Sequence, residues 1–261
     1  MKVFATTLAS ELKRALLSPL FVFSVCGYIV FTLLTLFDEG TAFRPGITSL
    51  FYVYRVIRYL DFHILYILFA AIPSTLLFCV DWNHQFIRLL VLRSAKRNYT
   101  ISKIIACFIT ATCSVILSNV LLLSMLGILF PLINSSSDVL PYGYLTFPGA
   151  SGALIFFLIK ILCEAACAGF LSVTAMWLST IISSPFVALA SPLIIYYIIN
   201  TISFYFELPV YIRIGSLSQG IVEICQSPFL SLAYTLLVFI IATTATGCLF
   251  AINCVRRIQN G

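Results

Sequence analysis

The chain has 261 residues, of which 61% are hydrophobic and 9% are charged, with a formal net charge of +6 and a mean hydropathy of +1.09. This composition excludes a soluble globular domain. The longest polar-leaning intervals have about two dozen residues, too few for an independent folding unit, so we expect a single transmembrane domain over residues 1–261.

Six stretches contain no Asp, Glu, Lys or Arg: 15–37, 62–80, 104–137, 139–159, 165–206 and 224–255. Each can hold a membrane-crossing helix of about 20 residues. Pro185, after Ser183-Ser184, divides the longest stretch because proline interrupts a helix. The fourth span begins in the stretch 139–159 and continues into the first part of the divided stretch. The sequence therefore predicts an all-α integral membrane protein with six transmembrane helices, at about 18–37, 62–80, 104–131, 153–180, 186–204 and 229–253.

The basic residues indicate how these spans are oriented. With the N-terminus in the cytoplasm, ten basic residues fall on the cytoplasmic side: Lys2, Lys13, Arg14, Arg88, Arg93, Lys96, Arg97, Lys103, Arg256 and Arg257. Four fall on the opposite side: Arg44, Arg55, Arg58 and Arg213. Cytoplasmic loops are enriched in Lys and Arg, so both termini are expected in the cytoplasm. No basic face remains outside these short loops, which argues against a nucleic-acid partner.

Three segments outside the spans have helical or broken patterns. Residues 4–17 predict an amphipathic helix along the membrane surface, with Phe4, Leu8, Leu12 and Leu16 on one stripe and Glu11, Lys13 and Arg14 off it. In the first outer loop, Leu50, Phe51, Tyr54 and Ile57 predict an interfacial helix, with Arg55 and Arg58 beside that face. Residues 205–228 are too polar to span and are broken by Pro and Gly.

Lys160 and Glu164 lie within the predicted fourth span, 153–180, where charged side chains are costly and normally face a partner or a wet cavity. Their i, i+4 spacing allows them to pair with each other. Three interpretations remain open: a structural pair, a polar contact with substrate or with a partner helix, and a proton-coupled role.

The sequence lacks the residues that ATP hydrolysis, intramembrane proteolysis and metal binding require. The phosphate-binding pattern G-x-x-x-x-G-K-[ST] is absent, so any ATP hydrolysis is expected on another chain. Gly149-Ala150-Ser151-Gly152 resembles the nucleophile motif of rhomboid intramembrane proteases, but the last span contains no histidine to act as base. No set of cysteines has metal-ligand spacing with histidines. We therefore predict no catalytic residues, no metal site and no cofactor on this chain.

Four segments carry a family resemblance. These are Glu11-Leu-Lys-Arg14 with Ser18-Pro19; Asp81 through Leu89-Leu90, Arg97 and Lys103; Gly169–Ser179 with Ser183-Ser184-Pro185; and the broken segment 205–228. Together they resemble the type-2 (export) class of ABC transporter permeases, in which an elbow helix precedes six spans. Asp81 stands where the family usually has Glu, and Ser94-Ala95 stand where it often has Pro.

The resemblance implies a permease subunit of an ATP-driven exporter in the bacterial plasma membrane. Such a subunit forms the translocation path as a dimer with a second copy or a paralogue, contacts membrane lipid, and docks on separate ATPase subunits that bind ATP and Mg. It implies an elbow helix at 4–17 and a coupling helix at 82–93, with Trp82, Phe86, Leu89 and Arg93 as contacts to the ATPase. The cargo would be a peptide, an antimicrobial or a lipid-like molecule. The alternatives are a standalone immunity or complex-assembly protein without an ATPase, a secondary carrier using Glu164, and an enzyme.

Overall fold

The computed structural model describes residues 2–38, 48–59, 64–83, 96–133, 150–222 and 227–260. They form α1 (Lys2–Leu16), α2 (Pro19–Asp38), α3 (Leu50–Tyr59), α4 (Tyr66–Asn83), α5 (Lys96–Leu129), α6 (Ala150–Ser179), α7 (Pro185–Tyr205), α8 (Ile214–Ser218) and α9 (Pro228–Asn260). Within these ranges five helices are long and apolar enough to cross a membrane, namely α2, α5, α6, α7 and α9, and α4 contains a shorter apolar stretch. The chain thus has the architecture of an α-helical, multi-pass membrane protein.

Two helix boundaries follow from local sequence signals. The Ser18 hydroxyl donates to the Ala15 carbonyl at 2.8 Å and accepts from the Phe21 amide at 3.2 Å, so it ends α1 and caps α2. Pro19 is the first residue of α2, where its missing amide hydrogen costs nothing. Likewise α6 ends at Ser179 and α7 begins at Pro185. The predicted division of the 42-residue apolar stretch is confirmed.

Helix α6 is the centre of the bundle, and α4, α5, α7, α8 and α9 all pack against it. Small side chains let these backbones approach closely. A Cβ atom on Gly169 would lie 2.6 Å from the Phe108 ring and 2.9 Å from Thr112 of α5. Gly247 of α9 similarly faces Ile104 of α5. Gly169 and Gly247 therefore lie at helix contacts within the chain.

Helix α3 differs from the interfacial helix expected in the first outer loop. Its Leu50, Phe51, Val53, Tyr54 and Ile57 side chains are each less than 5% exposed. The Phe51 and Tyr54 rings pack on Phe156 and Phe157 of α6, with centroid separations of 4.9–6.4 Å. Aromatic burial on this scale draws the helix into the bundle instead of leaving it on the surface.

Helices α3 and α4 lie end to end along the bundle. At the start of α3, the Leu50 amide donates to the Pro131 carbonyl just beyond α5, at 2.7 Å. At its end, Arg58 reaches Glu164, the fifteenth of the thirty residues of α6. Tyr66, which begins α4, lies beside Cys167, about one turn further along α6. Thus α3 contacts the first half of α6, and the beginning of α4 lies beside the middle of α6.

Candidate functional site

A buried ion pair joins the end of α3 to the middle of α6. Arg58 is 6% exposed and Glu164 is 1% exposed, and an Arg58 Nη2 hydrogen is donated to Glu164 Oε1. Arg58 Nη1 also donates to the Tyr54 hydroxyl at 2.8 Å, and the guanidinium lies 5.2 Å from the Tyr54 ring centroid. A charge at this depth is tolerated when it is paired and hydrogen-bonded, and both conditions hold here.

Two further polar side chains surround the pair. Asn119 of α5 is fully buried, and its amide group donates to the Val115 carbonyl at 3.0 Å and, at 3.5 Å, to Glu164 Oε2. Tyr28 of α2 is 4% exposed, and its hydroxyl lies within electrostatic range of Glu164 and Arg58. We call Arg58, Glu164, Asn119, Tyr28 and Tyr54 the mid-bundle site. It brings together α2, α3, α5 and α6.

Lys160 has partners outside its own helix. Its ammonium group donates to the carbonyls of Gln219 and Gly220, the latter at 2.9 Å, and it lies 5.1 Å from the Phe156 ring centroid. These carbonyls follow the end of α8, where a cation is favourable because the last carbonyls of a helix are unsatisfied. Lys160 therefore fastens the broken 206–222 segment to α6. The predicted polar pair thus has contacts to two other elements, with Glu164 reaching α3 and Lys160 reaching the turn after α8.

A second charge cluster lies where α1, the end of α4 and the beginning of α5 meet. Lys103 of α5 donates to Glu11 Oε2 at 2.7 Å and to Asp81 Oδ2 at 2.9 Å. Arg14 forms an ion pair with Asp81 Oδ1 at 2.7 Å. We call these four residues the Lys103 network. It contains two acidic and two basic side chains, so its formal charges balance, and it joins α1 to the end of α4 and the beginning of α5.

The Lys103 network explains why Glu11 is buried although it lies off the apolar stripe of α1. Glu11 is 8% exposed, whereas Lys13 is exposed. Helix α1 turns Glu11 inward because Lys103 supplies a buried cation. At Arg14, partial burial opposes the charged form, but the hydrogen bond and charge of Asp81 outweigh it and raise the Arg14 pKa above its ordinary value. Arg14 therefore remains charged at physiological pH.

The predicted ATPase contacts are at the end of α4 and in the segment of sequence that connects α4 to α5. Phe86, Leu89 and Arg93 are outside the residues that the structure describes, and for Trp82 only the backbone, near the end of α4, is described. Their predicted role therefore stays a prediction. What the structure adds is the setting of the connection, since Asp81 near the end of the helix before it is bonded to Lys103 of the helix after it.

Comparison of the chain with protein-family models, with curated proteins and with solved structures gives no match. In the described ranges, no three His, Cys, Asp or Glu side chains come together in a way that could hold a metal ion. The arguments about function therefore rest on the residues and their contacts.

Sequence reasoning missed Arg58 as the partner of Glu164. The signal was present, because Phe51, Tyr54 and Arg58 are spaced i, i+3 and i+7 and so share one helical face. A basic residue within an apolar stripe predicts a buried anion opposite it. Asn119 had no such signal, since one amide in a long apolar helix does not identify its partner.

Proposed function

We propose that this chain is the membrane-spanning permease subunit of an ATP-driven exporter of the type-2 ABC class, located in the bacterial plasma membrane. Two copies, or one copy and a paralogue, would form the translocation path. Separate ATPase subunits would bind and hydrolyse ATP with Mg. The observation that carries this proposal is the Lys103 network, because it joins an amphipathic N-terminal helix to both helices that flank the predicted coupling segment.

The network suggests how force would reach the bundle. An ATPase that moves the coupling segment, residues 82–93, would pull on the end of α4 and the start of α5. Asp81 and Lys103 are at these two ends, and both are bonded to α1 through Arg14 and Glu11. Three helices would then move as one body, since buried ion pairs with good geometry are costly to break. Motion of the coupling segment would in this way be transmitted along the whole length of α5.

The test is purification of the tagged chain from its native membrane in mild detergent, followed by identification of stoichiometric companions. We expect a P-loop ATPase to copurify, and we expect Phe86→Asp combined with Leu89→Asp to abolish its recovery, because a docking helix needs its apolar contacts. The control is Phe206→Asp, which adds a carboxylate at an exposed aromatic residue directly after α7.

Two results would count against the proposal. A chain that emerges alone, without ATP hydrolysis in the purified complex, would favour a standalone immunity or complex-assembly protein. Loss of the ATPase in the Phe206→Asp control to the same extent as in the loop variant would show that docking was not localised to residues 82–93.

A further inference from the structure

The mid-bundle site is divided between one short helix and three longer ones. Glu164, Asn119 and Tyr28 belong to α6, α5 and α2, which have thirty, thirty-four and twenty residues. Arg58 and its companion Tyr54 belong to α3, which has ten residues. The anionic half of the site is therefore fixed in the core of the bundle, while the cationic half is carried by α3, the shortest of the four helices that form the site.

The fixed half has more acceptors than Arg58 satisfies. Among the residues that the structure describes, Asn119 Oδ1 and the Tyr28 hydroxyl have no hydrogen-bond partner, although both side chains are at least nine-tenths buried. Buried oxygen atoms without partners are rare in folded proteins and call for an explanation. Tyr28 also lines a narrow hollow between α2, α4 and α5, whose other polar walls are Ser24, Tyr66, Ser114 and Ser118.

The chemistry of these groups selects a cation. A carboxylate, an amide oxygen and a phenol oxygen together accept hydrogen bonds from a group with several N–H donors. The Tyr54 ring already lies against a guanidinium, as aromatic faces do with cations. Arg58 itself shows which chemical group fits beside Glu164.

Charge balance then determines how another cation could enter. A second cation added beside the Arg58–Glu164 pair would be an uncompensated buried charge, which is strongly unfavourable. Exchange of one cation for another keeps Glu164 neutralised. Arg58 is carried by α3, whose first residue donates its amide hydrogen to the Pro131 carbonyl just beyond the end of α5.

We propose that Glu164, Asn119 and Tyr28 form a binding site for a guanidinium or primary ammonium group of the cargo, and that Arg58 is a tethered occupant which the cargo displaces. As a statement about cargo this rests on the proposed export function, which it deepens by naming the class of cargo as cationic. As a statement about binding it depends only on this chain.

The first test is chemical rescue in the purified full chain. Arg58→Ala empties the position beside Glu164, and ethylguanidinium is the probe, with sodium chloride at the same ionic strength as the salt control. We expect the midpoint of thermal unfolding of Arg58→Ala to rise by about 3 °C when the probe is at about ten times its dissociation constant. Arg58→Ala combined with Glu164→Gln should show no rise beyond the salt control.

Arg55→Ala is the matched control, because Arg55 is an exposed arginine of the same helix. It should show no rise specific to ethylguanidinium. An absence of rescue in Arg58→Ala, or an equal rise in the double variant that lacks the carboxylate, would overturn the binding site.

A second measurement avoids the variants altogether, in case Arg58→Ala does not fold. In the unaltered chain, agmatine should increase amide hydrogen exchange within 50–59, since displacement of Arg58 loosens α3, while exchange in the middle of α6 stays slow. Exchange in α3 that is unchanged at any agmatine concentration would refute displacement.

The two proposals fail separately. Rescue without a copurifying ATPase would leave a cation site in a protein of another class. Copurification without rescue or exchange changes would leave the permease assignment and remove the cationic cargo site.

Discussion

Lys103→Met is the substitution for which the structure makes the sharpest stability prediction. Lys103 is 4% exposed and is the only basic side chain that contacts Glu11 and Asp81 together in the described part of the chain. Methionine keeps the length and the apolar stem but removes the charge. Glu11 then loses its cation, and Asp81 retains only Arg14.

The magnitude follows from burial and geometry. Glu11 is 8% exposed and Asp81 is fully buried, and their distances to Lys103 are 2.7 and 2.9 Å. Removal of one member of a buried, well-formed ion pair costs about 3–5 kcal/mol because the other charge stays buried without compensation. We therefore expect Lys103→Met to lower the free energy of unfolding by about 3–5 kcal/mol. Adding Glu11→Gln should recover part of this loss, because it removes the carboxylate that was left unpaired.

The assay is equilibrium unfolding of the purified chain in mixed detergent micelles, with Lys13→Met as the matched control. Lys13 lies in α1 and is exposed, so its substitution should change the free energy of unfolding by less than about 0.5 kcal/mol. The reasoning is refuted if Lys103→Met and Lys13→Met have the same stability, or if Glu11→Gln makes the Lys103 variant still less stable.

The remaining predictions use the same unfolding measurement. Glu164→Gln should cost about 3–5 kcal/mol, whereas Glu164→Leu combined with Arg58→Met should cost much less, since replacing a whole buried pair by apolar groups is often neutral; equal losses would argue against a buried pair. Gly169→Ala should lower the free energy of unfolding by about 1–3 kcal/mol through overpacking, because an added Cβ would lie 2.6 Å from its nearest neighbour. Gly247→Ala should lower it less, because the corresponding distance is 3.2 Å. The reverse order of the two losses would contradict the packing. Gly220→Ala should cost about 1–2 kcal/mol because Gly220 has φ of +57°, and an unchanged stability would show that the turn rearranges.

The interfacial prediction for residues 50–58 shows where sequence reasoning reached its limit. Periodicity correctly gave a helix with Leu50, Phe51, Tyr54 and Ile57 on one face. It did not give the surface that covers this face, because an apolar stripe fits lipid headgroups and a protein interior equally well. The aromatic side chains of α6 decide between them, and they are about a hundred residues away in sequence.

Glu164 illustrates the same limit for the candidate site. Its depth followed from its place in an apolar stretch, and so did the need for a partner. Spacing within the helix suggested Lys160, since only neighbours in sequence are visible to such reasoning. The partner that the tertiary structure supplies is Arg58, 106 residues away.

By itself, the sequence determined the class of protein and two of its helix boundaries. Long stretches without charges require helices in a membrane, because a helix satisfies its own backbone hydrogen bonds, and Ser18-Pro19 and Ser184-Pro185 mark boundaries through local geometry. Only the tertiary structure decided which charges meet. Glu11 and Asp81 find Lys103, and Glu164 finds Arg58, because a buried charge is stabilised by whichever opposite charge the packing of the helices brings within contact, at any separation along the chain.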